Sequence, residues 1–329
     1  MNAVSDVAER AKIPVTILTG YLGAGKTTLL NRILSQAHGR KYAVIVNEFG
    51  ELGIDNDLVV NADEEVFEMN NGCICCTVRG DLVRILGGLM KRKGGFDGIM
   101  VETTGLADPA PVAQTFFVDE DVNRSTALDA IVTVVDASNI EARLADSHEA
   151  AEQIAFADVI LLNKLDLVTA EDRERIEGRL RQLNGAARLI PTHNCEVDLA
   201  EVLDRGAFDL QRILQIEPGF LDGDDEHEHD DDIASVSFAS DRPLDPERTE
   251  RWLDDVAARY GAGILRWKGI LDVKGVGQRV VFQGVHMLLD LQKQRPWAEG
   301  EPRSSRVVFI GRNLPREALR AGFEACFAA

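Results

Sequence analysis

The chain has 329 residues, in which Asp plus Glu outnumber Lys plus Arg by 55 to 36, for a formal net charge of −19. That balance argues against a nucleic-acid binder or a protein docked on anionic membrane, because both need clustered cations. The five cysteines are an odd number, and Cys73, Cys75 and Cys76 crowd together. Adjacent Cα atoms lie about 3.8 Å apart, short of the roughly 4.4–6.8 Å of a relaxed disulfide, so thiols in a reducing cytosol are expected. The first twelve residues are polar with no apolar stretch, and no run approaches the roughly 20 apolar residues of a membrane span. A soluble, cytoplasmic protein is the expectation.

Short apolar runs at 15–19, 42–46, 98–101, 130–135 and 159–162 alternate with helical stretches. They are apolar on both faces, the pattern of parallel strands covered by helices, and they predict a doubly wound, mostly parallel α/β sheet. Ligands of such a sheet lie beyond the carboxyl ends of its strands. This first domain is expected over 12–215. An acidic stretch with His227 and His229 has nothing to bury and reads as a solvated linker over 216–232. A smaller α+β domain is expected over 233–329. Asp245-Pro246 opens a helix carrying Trp252, Leu253, Val256 and Tyr260 at helical spacing. Strands are predicted at 264–273, 279–289 and 306–310, and a last helix from about Pro315 with Leu319, Phe323 and Phe327 on one stripe. Cys326 is expected in that core, and no partners are evident for His38, His148, His193 and His286.

Gly20-Tyr21-Leu22-Gly23-Ala24-Gly25-Lys26-Thr27 fits the pattern G-x-x-x-x-G-K-[ST], between a buried strand and an amphipathic helix. Glycines let the backbone N–H groups curl toward an anion, and the helix N-terminus adds partial positive charge. Gly20, Gly23, Ala24, Gly25, Lys26, Thr27 and Thr28 are therefore the candidate phosphate-binding residues. Lys26 would reach the β- and γ-phosphates, and the Thr27 hydroxyl would ligate Mg²⁺.

Asn163-Lys164-Leu165-Asp166 follows the 159–162 strand. A carboxylate there accepts from guanine N1–H and its exocyclic amino group, which adenine lacks, so Asp166 selects guanine. The Lys164 stem can lie along the base, and Asn163 can bond the ring edge or tie loops together. A further strand ends in Glu102-Thr103-Thr104-Gly105. Glu102 is placed to hold Mg²⁺ through water, and Gly105 can bring its N–H to the γ-phosphate. Lys26, Thr27 and Glu102 are thus the candidate catalytic residues. Small regulatory GTPases usually place a water-positioning Gln after that glycine; here stands Leu106, so hydrolysis should be slow unless aided by a partner, a dimer mate or a metal.

The box Cys73-Ile74-Cys75-Cys76 lies between the phosphate loop and the Glu102 strand. Thiolates favour soft ions such as Zn²⁺ or Co²⁺ over Mg²⁺, and three leave a tetrahedral ion one ligand short. Water, Glu51 or a recipient protein would fill the gap. Asn47-Glu48-Phe49-Gly50-Glu51 follows the second strand, where a γ-phosphate-sensing loop would sit. A metal site between two such segments can change affinity with nucleotide state. Cys195 is expected in a loop bordering the base, with backbone contacts there.

Together these residues resemble the CobW-type family of metal-handling P-loop GTPases, in the class that includes hydrogenase and urease maturation GTPases. The resemblance rests on 20–28, 47–51, the Gly72-Cys-Ile-Cys-Cys76 box, 102–105, 163–166 and the appended α+β domain. Within that family, 102–109, Asn184-Gly185 and Val197-Asp198-Leu199 resemble the zinc-regulated GTPase metalloprotein activators. The resemblance implies GTP, Mg²⁺ and Zn²⁺ as cofactors, Cys73, Cys75 and Cys76 as metal ligands, and a client metalloprotein as recipient. Alternatives are a cobalt chaperone for cobalamin synthesis, a switch GTPase with a fixed structural zinc site, and a P-loop kinase, which the guanine motif disfavours. Many relatives carry longer histidine tracts than the His227/His229 linker, which is read as plain linker.

Overall fold

The computed structural model describes residues 12–36, 39–47, 65–69, 76–91, 96–203, 233–298 and 300–328; for 47, 65–69 and 76–79 it describes the backbone alone. The first sheet comprises β1 (Ile13–Thr19), β2 (Tyr42–Asn47), β3 (Glu65–Met69), β4 (Gly98–Glu102), β5 (Thr126–Asp136), β6 (Val159–Asn163) and β7 (Arg188–Pro191). Its order is β3-β2-β4-β1-β5-β6-β7, and every pairing is parallel. From β1 the chain runs outward to β2 and β3, returns to β4, and then crosses to β5 and beyond. This reversal beside β1 opens a crevice at the carboxyl ends of the central strands.

All five predicted strands of this sheet are present, and β3 and β7 are additions. Both are edge strands. β3 reads Glu-Val-Phe-Glu-Met and β7 is four partly exposed residues, so neither shows the unbroken apolar run of a central strand.

The helices of this part are α1 (Lys26–Ser35), α2 (Cys76–Met90), α3 (Ala110–Val118), α4 (Glu120–Ser125), α5 (Ile140–Asp146), α6 (His148–Phe156) and α7 (Ala170–Leu183). The apolar spacing of α1 buries Leu29, Leu30, Ile33 and Leu34 against the sheet. None of the described helices is long and apolar enough to cross a membrane.

The second sheet is antiparallel: β8 (Ile233–Ser240), β9 (Ile264–Leu271), β10 (Gln278–Val285), β11 (Leu288–Pro296) and β12 (Ser305–Arg312), in the order β11-β10-β9-β12-β8. Two expectations are corrected here. β8 was not predicted, and the strand expected over 279–289 is two strands. They reverse at His286-Met287, with His286 in the left-handed region at φ 52°. Tight hairpins usually announce themselves by Gly or Asn-Gly, and this one carries neither.

Helix α8 (Pro246–Tyr260) starts as expected, its Asp245 carboxylate accepting from the Arg248 N–H at 3.0 Å. With α9 (Arg316–Ala325) it covers one face of the sheet over a core of Trp252, Trp267, Phe309, Leu319, Phe323 and Cys326. The other face packs on the first sheet's helices. Ile233, Leu265, Val285, Val308 and Ile310 share a core with Ile154, Phe156 and Ile176. At that junction Asp158, just before β6, accepts from the Ile131 N–H at 2.7 Å. It also pairs with Arg266, at 3.4 Å, and Lys268 on β9. All three side chains are buried.

Candidate functional site

The loop after β1 is shaped by its glycines. Gly20 has φ 137°, and a Cβ there would lie 2.2 Å from the Val134 carbonyl oxygen, so no other residue fits. Gly25, at φ 118°, caps α1, whose first turn carries no acidic residue. A helix N-terminus free of anions, with its N–H groups unclaimed by side-chain caps, is suited to a phosphate. Lys26 follows at once. Its side chain is buried under the loop and its Nζ donates to the Gly20 carbonyl at 2.9 Å and the Tyr21 carbonyl at 3.4 Å. Thr27 and Thr28 stand in the first turn of α1, and Thr28 is exposed.

Asn163, at the tip of β6, is 2 % exposed and spans two loops. Its Nδ2 donates to the Ala24 carbonyl at 3.0 Å, and its Oδ1 accepts from the Cys195 N–H at 2.9 Å. Of its two predicted roles, tying loops together is the one seen. Lys164, at φ 62°, turns the chain so that its Nζ reaches Asp136 Oδ2 at 2.8 Å. Burial works to raise the Asp136 carboxyl, yet hydrogen bonds from Lys164, Ser138 and Asn139 hold it below the usual carboxylate range. Asp166 lies exposed in the short 3-10 helix Leu165–Leu167. Cys195 also makes a side-chain contact, its Sγ lying 3.4 Å from the Gly25 carbonyl. Burial pushes its thiol up to about 11, so it stays protonated.

β4 delivers Glu102, buried, to the strand end beside β1. Thr103 anchors the segment that follows. Its N–H donates to the Leu18 carbonyl at 2.9 Å and its hydroxyl bonds the Thr19 hydroxyl at 2.9 Å. Gly105 then passes against Leu22 of the phosphate loop. A cleft of about 260 Å³ adjoins this loop, lined by Tyr21, Leu22, Asp136, Asn139, Arg143 and Gln153 among others. Arg143 stacks over the Tyr21 ring at 5.5 Å.

Phosphate loop, acidic strand tip and N-K-x-D motif thus converge at one end of one parallel sheet. Residues 14–191 match the CobW/HypB/UreG nucleotide-binding domain, and 233–327 match the cobalamin synthesis protein cobW C-terminal domain. The chain belongs to the CobW/HypB/UreG family. It is thereby a P-loop GTPase of that family. The zinc chaperone YjiA of Escherichia coli is 36 % identical over 316 residues, covering 94 % of this chain and 98 % of that protein. The zinc-regulated GTPase metalloprotein activator 1 of Dictyostelium discoideum is 34 % identical, covering 94 % of this chain and 78 % of that protein. The crystal structure of Zn(II)-bound YjiA GTPase from E. coli matches with a TM-score of 0.73 and 31 % identity, covering 97 % of this chain and all of that one.

For a CobW-type protein, the nucleotide end of the expected site is brought together: Gly20, Lys26, Thr27, Glu102, Gly105, Asn163, Lys164 and Asp166 all stand at the carboxyl ends of β1, β4 and β6 or in the loops leaving them. Cys73, Cys75, Glu51, His227 and His229 lie outside the described residues, as does the side chain of Cys76, whose backbone opens α2. Three contributors escaped the sequence reading: Asp136, which holds Lys164; the Cys195 side chain against Gly25; and Gln153, which bonds Gly105. His286 also gains a partner, its ring meeting Phe156 edge-on at 5.7 Å. Cys326 is in the core as expected, 1 % exposed.

Proposed function

We propose that this chain hydrolyses GTP and uses the cycle to hold zinc on Cys73, Cys75 and Cys76 and release it to a client metalloprotein. The bond from Asn163 to the Ala24 carbonyl carries the reading, because it joins the guanine-selective motif to the phosphate loop in one site. Two features add support: the relatives named zinc chaperones, and the course of the chain, in which β3 ends at Met69 in register with Asn47 of β2 and Cys76 opens α2. In sequence the thiol box begins four residues after β3 ends at Met69 and closes where α2 opens at Cys76. Thr27 and Glu102 are an oxygen donor set suited to Mg²⁺, which when bound would neutralise phosphate charge. The chain's own part is to cradle the phosphates on the α1 N-terminus, select the base through Asp166 and bring Lys26 to the transferred group. The domain division at 12–215, 216–232 and 233–329 belongs to the same proposal.

Zinc titrated against a chromophoric chelator, with GDP and then with a non-hydrolysable GTP analogue, is expected to bind about 5- to 150-fold differently in the two states. Equal affinity overturns the delivery reading in favour of a fixed structural site. Cys75→Ser should weaken zinc by more than about tenfold while GTP still binds. Metal analysis of protein purified anaerobically decides between zinc and cobalt.

Base selection has its own test. Asp166→Asn removes charged hydrogen bonds to guanine, and GTP affinity should fall by about 10- to 150-fold in nucleotide competition. Xanthine carries a carbonyl where guanine has its amino group, and the new Asn amide can donate to it, so XTP should gain. GTP binding unaffected by the change would remove Asp166 from the site.

A further inference from the structure

Helix α6 touches both the segment leaving β4 and the second sheet. Gln153 on it is 1 % exposed, and its Nε2 donates to the Gly105 carbonyl and to the Ala107 carbonyl, each at 3.1 Å. Its own carbonyl accepts from the Thr133 hydroxyl of β5 at 2.7 Å. A buried amide is costly unless its hydrogens are used, and here both go to carbonyls of the non-helical segment leaving β4. One residue earlier, Glu152 accepts from Arg312 of β12 at 2.8 Å. One turn later, Phe156 meets His286 of the second sheet. On the segment itself, Asp108 is raised by burial and feels the charges of Glu152, His286 and Arg312.

We propose that Gln153 is a positioning residue for GTP hydrolysis: by holding the Gly105 and Ala107 carbonyls it sets the Gly105 N–H toward the γ-phosphate, and the Glu152–Arg312 pair lets the second sheet act on that setting. The assignment rests on the reading of the phosphate loop and the Glu102 segment as a GTP site. It reaches further by tying the appended sheet to the residue that senses the terminal phosphate. A segment with two arrangements biased by both nucleotide and a docked domain is what energetic coupling between them requires.

The test compares wild type with Gln153→Met, which keeps length and loses both donors, and with Arg312→Ala, which leaves the segment's own bonds intact. kcat and KM for GTP are measured, together with affinities for GDP and for a non-hydrolysable GTP analogue. Gln153→Met is expected to lower kcat and analogue affinity by about tenfold or more, with GDP affinity within about twofold. Only the triphosphate presents a group to Gly105, and a merely structural loss would weaken GDP equally. Arg312→Ala should show a smaller loss with the same selectivity. Unchanged kcat and analogue affinity in Gln153→Met, or equal loss for both nucleotides, overturns the assignment; an Arg312→Ala variant indistinguishable from wild type overturns the part played by the second sheet. A wild type that hydrolyses no GTP overturns the underlying site reading instead.

Discussion

Lys26→Ala is expected to slow GTP hydrolysis by about 10²- to 10³-fold at saturating GTP, the loss seen when one preorganised charge-stabilising donor is removed. The lysine lies buried beneath the loop, with its ammonium held by the Gly20 and Tyr21 carbonyls. Those carbonyls store the cation next to the place where triphosphate oxygens would lie, so little reorganisation is needed to reach them. Alanine keeps the helical start and the glycine-shaped backbone, and deletes the ammonium with its buried stem and its bonds to the Gly20 and Tyr21 carbonyls. GDP should therefore lose less affinity than the hydrolysis rate loses, because the terminal phosphoryl group gathers charge in the transition state. Phosphate release measured alongside nucleotide occupancy separates the two effects. A variant within about fivefold of wild type would remove Lys26 from the catalytic set.

Asp158→Ala is expected to cost about 3–5 kcal/mol of stability, the penalty for stripping the partner from buried charge. The carboxylate serves Arg266 and Lys268 at once and accepts the Ile131 N–H, so its loss leaves two cations and a backbone donor inside the junction. The cost should depend on pH. Burial holds Lys268 down to about 7, well below its unfolded value, so the unfolded chain binds more protons than the folded one between these limits. Without the Asp158 countercharge Lys268 is held lower still, so stability of the variant should rise with pH across this range and level off at about 10, where unfolded Lys268 also gives up its proton. Chemical denaturation at pH 7 and pH 9 measures this; a variant that loses less than about 1 kcal/mol at pH 7 would show that the junction does not depend on the pair.

The nucleotide end was legible because its signals are local. Glycines at fixed offsets before Lys26 are demanded by the loop's own backbone, and Asn163-Lys164-Leu165-Asp166 sits directly on a strand tip. Gln153, Asp136 and Asp158 carry no such mark. Their partners lie 48, 28 and 108 residues away, and only the folded topology brings them within reach. Edge strands were missed for a related reason: β3 and β7 lack the apolar monotony that marked the central strands, while β10 and β11 merged because a histidine, not a glycine, makes their turn. Leu106 stands where small regulatory GTPases place a glutamine, and the glutamine that does address Gly105 comes from α6, donating to its carbonyl.

The apolar residues of β8, β9, β10 and β12 that pack with Ile154, Phe156 and Ile176 leave the GTPase half without a finished surface of its own. Cut free, that half would present a greasy flank to solvent. The two halves are therefore not interchangeable cassettes, and grafting this nucleotide engine onto another protein would require transplanting its β-rich companion as well.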